Sequence, residues 1–120
     1  MFNLLAKADF EKLARERCPA LADQFLTGTA FFADAQTLIS VSDRPEIRQL
    51  WVNGWHGRNT LPAWRKLKIW AIEAERASVG FKMSRENPIR KPWVRYCGAV
   101  EVSETPGGIE YIVPCSRVQR

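Results

Sequence analysis

The chain has 120 residues, of which 46% are hydrophobic and 26% charged, and its formal net charge is +5. This composition is typical of a globular protein and predicts a single domain over residues 1–120, with a core large enough to fold without disulfides. It excludes a largely disordered chain and, because no apolar stretch approaches about 18 residues, a membrane-spanning helix.

The cysteines and the N-terminal residues indicate the cellular compartment of the protein. Cys18, Cys97 and Cys115 are an odd number without short spacing, a pattern typical of a reducing environment and of neither a disulfide framework nor a zinc site. The N-terminal residues lack the basic start and the unbroken apolar stretch of a signal peptide. We therefore expect a cytoplasmic protein with no bound metal and no cofactor.

The N-terminal third predicts two helices and a strand. Helical spacing of apolar residues indicates a first helix from about Leu4 to Arg17. Pro19 breaks this pattern and begins a second, short helix that continues to Leu26. The β-branched content of residues 37–41 predicts a strand there, and a helix capped by Thr29 is an alternative for the preceding residues.

Two further helices are predicted in the middle of the chain. Residues 43–46 (Asp-Arg-Pro-Glu) have an N-cap acid followed by a proline, which predicts a helix that ends at Gly57. Another helix is predicted from after Thr60 to about Val79. Apolar residues cover much of its circumference, which is typical of a helix at the centre of a domain.

The C-terminal third predicts a loop and a hairpin. Residues 84–93 contain two prolines and are expected to form an ordered loop. Strands near 94–103 and 109–118 are joined by a Thr-Pro-Gly-Gly turn. The predicted fold class is therefore α+β: a helical body of three to four helices with a C-terminal antiparallel β-hairpin and, at most, one further short strand.

The turn sequence also predicts the register of this hairpin. Pairing Thr105 with Gly108 places Val102 opposite Tyr111. These side chains would then lie on one face of the hairpin. That face is expected to be buried against the helices.

Charge and tryptophan are concentrated in residues 44–95, which hold all five tryptophans and twelve Lys or Arg against four acids. Cations mixed with aromatic rings are typical of surfaces that bind a phosphate backbone with accessible bases. Trp51 and Trp55, four residues apart in a predicted helix, have the spacing of core residues, and Trp64 and Trp70 are also expected in the core. Trp93 lies among cations and is the candidate for an exposed stacking ring.

The strongest indication of a binding surface is electrostatic. Arg65, Lys66 and Lys68 lie in the first two turns of the helix predicted after Thr60, where cations oppose the helix dipole. An anion would be favoured there, because free backbone N–H groups, the dipole and the side chains act together. We therefore predict a nucleic-acid- or partner-binding surface that continues into the following loop and consists of Arg58, Arg65, Lys66, Lys68, Lys82, Arg85, Arg90, Lys91, Trp93 and Arg95.

Catalytic motifs are missing from the sequence. His56 is the only histidine, and there is no Gly-rich phosphate loop, paired-carboxylate motif, nucleophile elbow or HExxH. We therefore predict that the chain is not an enzyme but a nucleic-acid-binding accessory protein that recognises the backbone or shape of RNA or DNA. Two alternatives remain: a phage- or plasmid-type module that inhibits or docks on an acidic or nucleic-acid-handling protein, and a small metal-independent RNase or toxin.

Overall fold

The computed structural model describes residues 3–58 and 60–115, which contain seven strands and four α-helices. The elements in chain order are β1 (Asn3–Leu5), α1 (Lys7–Arg17), α2 (Ala22–Phe25), β2 (Ala30–Ala33), β3 (Thr37–Arg44), β4 (Gln49–Gly57), α3 (Thr60–Glu73), β5 (Ser78–Met83), α4 (Arg90–Cys97), β6 (Val100–Thr105) and β7 (Gly108–Pro114). Single 3-10 turns at Pro19–Leu21 and Pro45–Ile47 precede α2 and β4. None of the helices described is long and apolar enough to cross a membrane.

The strands of the described ranges form one mixed sheet of seven, in the order β1-β2-β3-β4-β5-β7-β6. Neighbouring strands are antiparallel except β4 and β5, which are parallel. Because a parallel pair needs a long crossover, α3 carries the chain from the end of β4 back to the start of β5.

Helices cover both faces of the sheet, and each face has its own hydrophobic cluster. On one face α1 and α2 contribute Phe10 and Phe25, which pack with Phe31 of β2. On the other face α3 and α4 cover the sheet, with Trp64 and Leu67 of α3 among the buried residues. Successive strand residues point to opposite faces, so the central strands supply both clusters.

The predicted helix over residues 43–57 is wrong. Pro45 does begin a helical turn, but it is a single 3-10 turn, and Arg48 comes next in the left-handed conformation with φ 53°. That conformation ends the helical path. The next nine residues form β4, where tryptophan and valine fit a pleated, half-buried surface.

The predicted α+β fold class is also wrong, because the chain builds a continuous sheet rather than a helical body with a hairpin. The helix predicted to reach Val79 ends at Glu73, and Glu75 takes a positive φ of 59° before β5 begins. The residues at 3–5 pair with β2 as a strand, so α1 starts at Lys7 instead of Leu4. The loop predicted over 84–93 is shorter, because α4 begins at Arg90. The hairpin strand predicted near 94–103 is also wrong at its start, because residues 94–97 belong to α4 and β6 begins at Val100.

Other predicted elements are confirmed. The strand at 37–41 is present and extends to Arg44. The short helix after Pro19 is present as a 3-10 turn followed by α2. These elements are specified by local sequence signals that tertiary packing did not override.

The C-terminal hairpin is confirmed in its turn but not in its register. Thr105 pairs with Gly108 as predicted, but a bulge between Glu101 and Ser103 leaves Val102 without the expected partner Tyr111. Val102 is 52% exposed, whereas Tyr111 is buried. The bulge therefore turns the outer strand away from the core. The predicted strand end at residues 116–118 lies outside the described residues.

An ion pair joins the end of β3 to the turn before β5. Arg76 donates from Nε to Asp43 Oδ1 at 2.7 Å and from Nη2 to Oδ2 at 2.9 Å. Its Nη1 also donates to the carbonyl of Ala74 at 2.7 Å. The two hydrogen bonds from the Arg76 guanidinium lower the pKa of the Asp43 carboxyl.

We expect Asp43→Asn to lower the melting temperature by about 4 °C at pH 7, because it removes a bidentate contact in a partly buried place. Since the folded pKa of Asp43 lies below its ordinary value of 3.8, this stabilisation is present above pH 3.8 and is lost as the pH falls through the folded pKa. Thermal unfolding of both proteins across pH 2–7 should show the difference shrinking at the acid end. Asp23→Asn is the matched control, because Asp23 is 92% exposed. An equal change in the control would contradict the prediction.

Candidate functional site

The sheet opens between its two parallel strands. β4 and β5 are paired over only three positions, from Gln49–Ser78 to Trp51–Gly80. Beyond them β4 continues alongside β3 and β5 continues alongside β7, and no ladder pair of the described chain joins β4 to β5 again. The side of residues 52–57 that faces β5 therefore has no strand partner, which leaves backbone groups for a ligand.

A β-bulge in β4 coincides with this opening. Ser40 pairs with Gly54 and Val41 with Val52, which leaves Asn53 as an extra residue. The bulge is held on both sides: Asn53 Nδ2 donates to Ser42 Oγ at 2.7 Å, and Gln24 Nε2 donates to the Asn53 carbonyl at 2.8 Å. A bulge bends its strand and redirects the side chains beyond it.

Gly54 allows helix α2 to approach the bulged strand closely. A Cβ at this position would lie 2.0 Å from Phe25 Cε1, far inside van der Waals contact. The Phe25 ring thus occupies the space that any other residue at 54 would need. The close contact fixes one wall of the opening.

A cavity of about 400 Å³ occupies the opening, a size within the usual range for small-molecule sites. Its walls come from both layers of the protein. Gln24 and Phe25 line it from the α2 side, Trp64 and Trp93 line it from the α3 and α4 side, and the ends of β4 and β5 lie between them. The cavity wall therefore includes residues from both faces of the sheet.

Three tryptophans form one wall of the cavity. The ring centroids of Trp55 and Trp93 are 6.2 Å apart, those of Trp64 and Trp93 are 5.5 Å apart, and Tyr96 stacks on Trp93 at 5.7 Å. Trp64 is buried, while Trp55 and Trp93 are half-buried. Trp93, the ring predicted to be an exposed stacking platform, instead packs in this cluster.

The Trp55 indole Nε1 is the one buried side-chain polar atom of the described residues with no hydrogen-bond partner. A buried donor without an acceptor costs about 1–3 kcal/mol. It lies on a residue that lines the cavity. A ligand that supplied an acceptor would recover that cost.

Positive charge follows the end of β4 in the chain. β4 ends at Gly57, which lines the cavity, and α3 begins three residues later. The exposed Arg58 lies in this connection, and the exposed Arg65 and Lys66 lie on the second turn of α3; we call these three the α3 cations. The first N–H groups of an α-helix have no carbonyl partner within the helix, although Pro62 supplies no N–H. This arrangement favours a phosphate group.

The other predicted binding residues are distributed more widely. Lys82 lines the cavity, and Lys91 and Arg95 are exposed on α4. Arg85 donates from Nε to Glu104 at 2.9 Å, and Arg90 donates to Tyr111 Oη at 3.0 Å, so both hold other parts of the protein. That these cations bind nucleic acid or an acidic partner protein stays a prediction.

Lys68 is half-buried on α3 and lies near two buried thiols. Burial raises the pKa of the Cys97 and Cys115 thiols, and the nearby Lys68 ammonium partly opposes this rise. Thiols with raised pKa values are weak nucleophiles. Both cysteines belong to the core on the α3 face and are free, as is Cys18.

The cavity is poor in ionisable groups. Among the residues that line it, all within the described ranges, there is no Asp, Glu or His, and Lys82 carries the one charge. His56 lies in β4, opposite Leu38, and does not line the cavity. Residues 3–58 and 60–115 contain no group of three or more His, Cys, Asp or Glu that could hold a metal.

Comparison with solved structures identifies the fold. The chain superposes on the ribosomal-protein-S18-alanine N-acetyltransferase from Escherichia coli with a TM-score of 0.70 at 11% identity, covering 97% of this chain and 95% of that one. For FdhC, a nucleotide-linked sugar GNAT, the TM-score is 0.67 at 13% identity, with 94% and 85% covered. For an IAA acetyltransferase from Bacillus cereus it is 0.67 at 8% identity, with 95% and 98% covered. The described chain therefore has a GNAT-like fold, a seven-stranded mixed sheet with four helices.

No protein-family model matches the chain, and no curated protein matches it in sequence. The structural likeness nevertheless contradicts the functional predictions made from the sequence. The fold is that of acetyltransferases, so the prediction of a non-enzymatic nucleic-acid-binding accessory protein is wrong. The alternatives of an inhibitory module and of an RNase or toxin are contradicted by the same finding.

Proposed function

We propose that this chain is an acyltransferase that moves an acetyl group from acetyl-CoA to an amine. The observation that carries the proposal is the cavity between the diverging ends of β4 and β5. Because the cavity wall includes residues from both faces of the sheet, an acyl donor on the α3 and α4 side and an acceptor on the α2 side can meet in it. Bringing two reactants together in this way removes much of the entropic barrier to their reaction.

The residues present fit such a donor. Acetyl-CoA has an extended arm with two amide groups, and residues 52–57 of β4 offer a backbone edge without a strand partner, to which such an arm can add as a further strand. At its other end the donor carries phosphates, for which the α3 cations and the first turn of α3 are suited. When bound, the donor supplies an acyl group already activated as a thioester.

The protein's own contribution is to bind, orient and exclude water. The tryptophan wall formed by Trp55, Trp64 and Trp93 keeps one side of the cavity apolar. The bulge at Asn53 and the contact between Gly54 and Phe25 fix the bend of β4 and with it the width of the opening. An apolar, rigid cavity strengthens each polar contact made inside it.

We expect Trp55→Phe to weaken acetyl-CoA binding about fivefold, because a ligand acceptor for the buried Nε1 is worth about 1 kcal/mol. The melting temperature should change little, since removing an unpartnered N–H offsets the loss of ring area. Calorimetric titration and thermal unfolding would measure both quantities. Trp70→Phe is the control, because Trp70 is also half-buried on this layer but packs on Phe32 away from the cavity. Equal affinities for the Trp55 and Trp70 variants would contradict this role.

Titration calorimetry with acetyl-CoA tests the proposed function. We expect one site per chain with a dissociation constant in the micromolar range, about −8 kcal/mol. ATP is the comparison ligand, because it offers adenine and phosphates to the α3 cations but has no amide arm for β4. Binding of ATP as tight as that of acetyl-CoA, or no binding of acetyl-CoA, would contradict the proposal.

A further inference from the structure

We infer that the acceptor is an amine that arrives already neutral, of the peptide α-amino class, rather than a lysine side chain or a polyamine. This inference rests on the proposed function and concerns the same cavity. The inference is based on two features of the described residues that line the cavity. They include no proton acceptor suited to an ammonium, and Lys82 gives the wall a positive charge.

The cavity wall holds no group suited to remove a proton from an ammonium near pH 7. The described residues that line it include no carboxylate and no imidazole, and their polar side chains include those of Gln24, Asn53, Lys82, Ser84 and Asn87. A general base must reach the proton directly or through one water. Amides, a hydroxyl and an ammonium do not serve as bases at this pH.

The titratable groups near this lining are engaged elsewhere or exposed. Asp23, beside Gln24 on α2, is 92% exposed and accepts from Arg15 at 3.2 Å. Glu110 of β7 accepts from Ser103 Oγ at 2.8 Å and lies 4.0 Å from the Lys82 ammonium. Asp23 is thus held by a cation outside the cavity wall, whereas Glu110 is held by the Ser103 hydroxyl and by Lys82, which lines the cavity.

Glu86 and the pair formed by Arg90 and Tyr111 are further titratable groups near the cavity lining. Glu86, in the loop after β5, is exposed and accepts from Ser84 Oγ at 3.1 Å. On α4, Arg90 donates to Tyr111 Oη of β7 at 3.0 Å. Glu86 and Glu110 are the carboxylates that an alternative mechanism would use through a water, so both enter the test.

The reaction needs the nitrogen lone pair. The neutral amine forms a bond to the acyl carbon, the carbon–sulfur bond breaks, and the proton released from nitrogen ends on the CoA sulfur. Because the cavity wall does not deprotonate an ammonium, the rate depends on the fraction of acceptor already neutral. At pH 7 that fraction is about one in ten for a peptide α-amine with pKa 7.7–8.0 and about one in 2,500 for a lysine side chain with pKa 10.4.

The charge on the wall acts in the same direction. Lys82 lies on β5 at the opening and lines the cavity. A fixed cation disfavours a second cation beside it, so an ammonium acceptor is repelled while a neutral amine is not. The small neutral fraction of a lysine side chain and the repulsion by Lys82 act together. They predict that the α-amine is acetylated at least about 100-fold faster than the lysine side chain at pH 7.

Two peptides of one sequence test this inference. One has a free N-terminus and a dimethylated lysine, and the other has an acetylated N-terminus and a free lysine. With acetyl-CoA as donor, mass spectrometry should show the α-amine acetylated at least 100-fold faster at pH 7. Between pH 6 and 9, log kcat/KM should rise with unit slope and level off at the pKa of the peptide amine. An acceptor amine of lower pKa should move that inflection with it, and Glu86→Gln and Glu110→Gln should leave the profile unchanged.

Other results would overturn the inference in distinguishable ways. The protein would be shown to supply a base by any of three results. Lysine could be acetylated faster than the α-amine, or the inflection could stay fixed when the acceptor pKa changes. The pH dependence of kcat/KM could also disappear in Glu86→Gln or Glu110→Gln. A protein that binds acetyl-CoA but acetylates neither peptide would overturn the inference and leave donor binding intact. A protein that does not bind acetyl-CoA would overturn the proposed function itself.

Discussion

Gly54→Ala is expected to weaken acetyl-CoA binding at least tenfold and to lower the free energy of unfolding by about 1–3 kcal/mol. The added methyl would lie 2.0 Å from Phe25 Cε1, so either the ring or β4 must move. Both line the cavity, and either movement changes the width of the opening. Calorimetric titration gives the affinity, and urea unfolding gives the stability.

Gly107→Ala is the matched control for this variant. Its Cβ would meet Lys82 Nζ at 3.4 Å and Thr105 Oγ1 at 3.8 Å, which are ordinary contacts in an exposed turn. A second comparison keeps the test informative if Gly54→Ala folds poorly: adding Phe25→Leu removes the clashing ring atoms and should restore part of the stability. If the two variants, Gly54→Ala and Gly107→Ala, bound acetyl-CoA equally well, the width of the cavity at Gly54 would not matter for binding.

Reversing two of the α3 cations is expected to have the largest effect on donor affinity. Arg58→Glu combined with Arg65→Glu should weaken CoA binding about 100-fold, because a hydrogen bond between charged partners is worth about 1.5–3 kcal/mol and each substitution removes one such partner. Affinity for pantetheine, which has the arm but no phosphate, should change less than about twofold. Titration of both ligands separates the two ends of the site.

The control for charge is Lys7→Glu combined with Lys12→Glu. Both lysines are exposed on α1, in the opposite layer of the protein, and the change in net charge is the same. If CoA were attracted only by the overall electrostatic field of the protein, the two double variants would bind CoA equally weakly. An equal loss of pantetheine affinity in the Arg58 and Arg65 variant would mean that the substitutions distort the cavity instead.

Local signals in the sequence are sufficient for part of this fold. Pro19 and the β-branched residues at 37–41 predicted the elements that the structure contains. The Thr105–Gly108 turn was predicted correctly because its chemistry depends on a few adjacent residues. Each of these predictions depends on contacts within a short stretch of chain.

The central strands could not be predicted in the same way. The signals at residues 43–46 are those of a helix start, and they do produce one turn. The left-handed Arg48 and the pairing of β4 with β3 then make the next residues a strand. The parallel pairing of β4 with β5 joins segments separated by α3 and depends on packing of the whole sheet. Tertiary contacts of this kind override local propensity.

The candidate site left little trace in the sequence for a related reason. The groups that we propose for the acyl donor are backbone atoms of residues 52–57, whose side towards β5 has no strand partner because the two strands diverge. The bulge at Asn53 that accompanies this divergence has no residue signature of its own. Arg65, Lys66 and Lys68 were singled out because cations near the start of a helix oppose its dipole. That they bind a ligand stays a prediction, and their charge did not indicate the cavity.

The most direct test of the proposed donor site is to monitor the backbone amide resonances while CoA is added. We predict that the amides of residues 52–57 and 81–84 shift together with those at the start of α3, because the arm and the phosphates bind as one ligand. Shifts confined to the exposed cations of α4, at Lys91 and Arg95, with residues 52–57 unchanged, would contradict a donor site in the cleft. That pattern would indicate that CoA binds only as a polyanion on the basic surface.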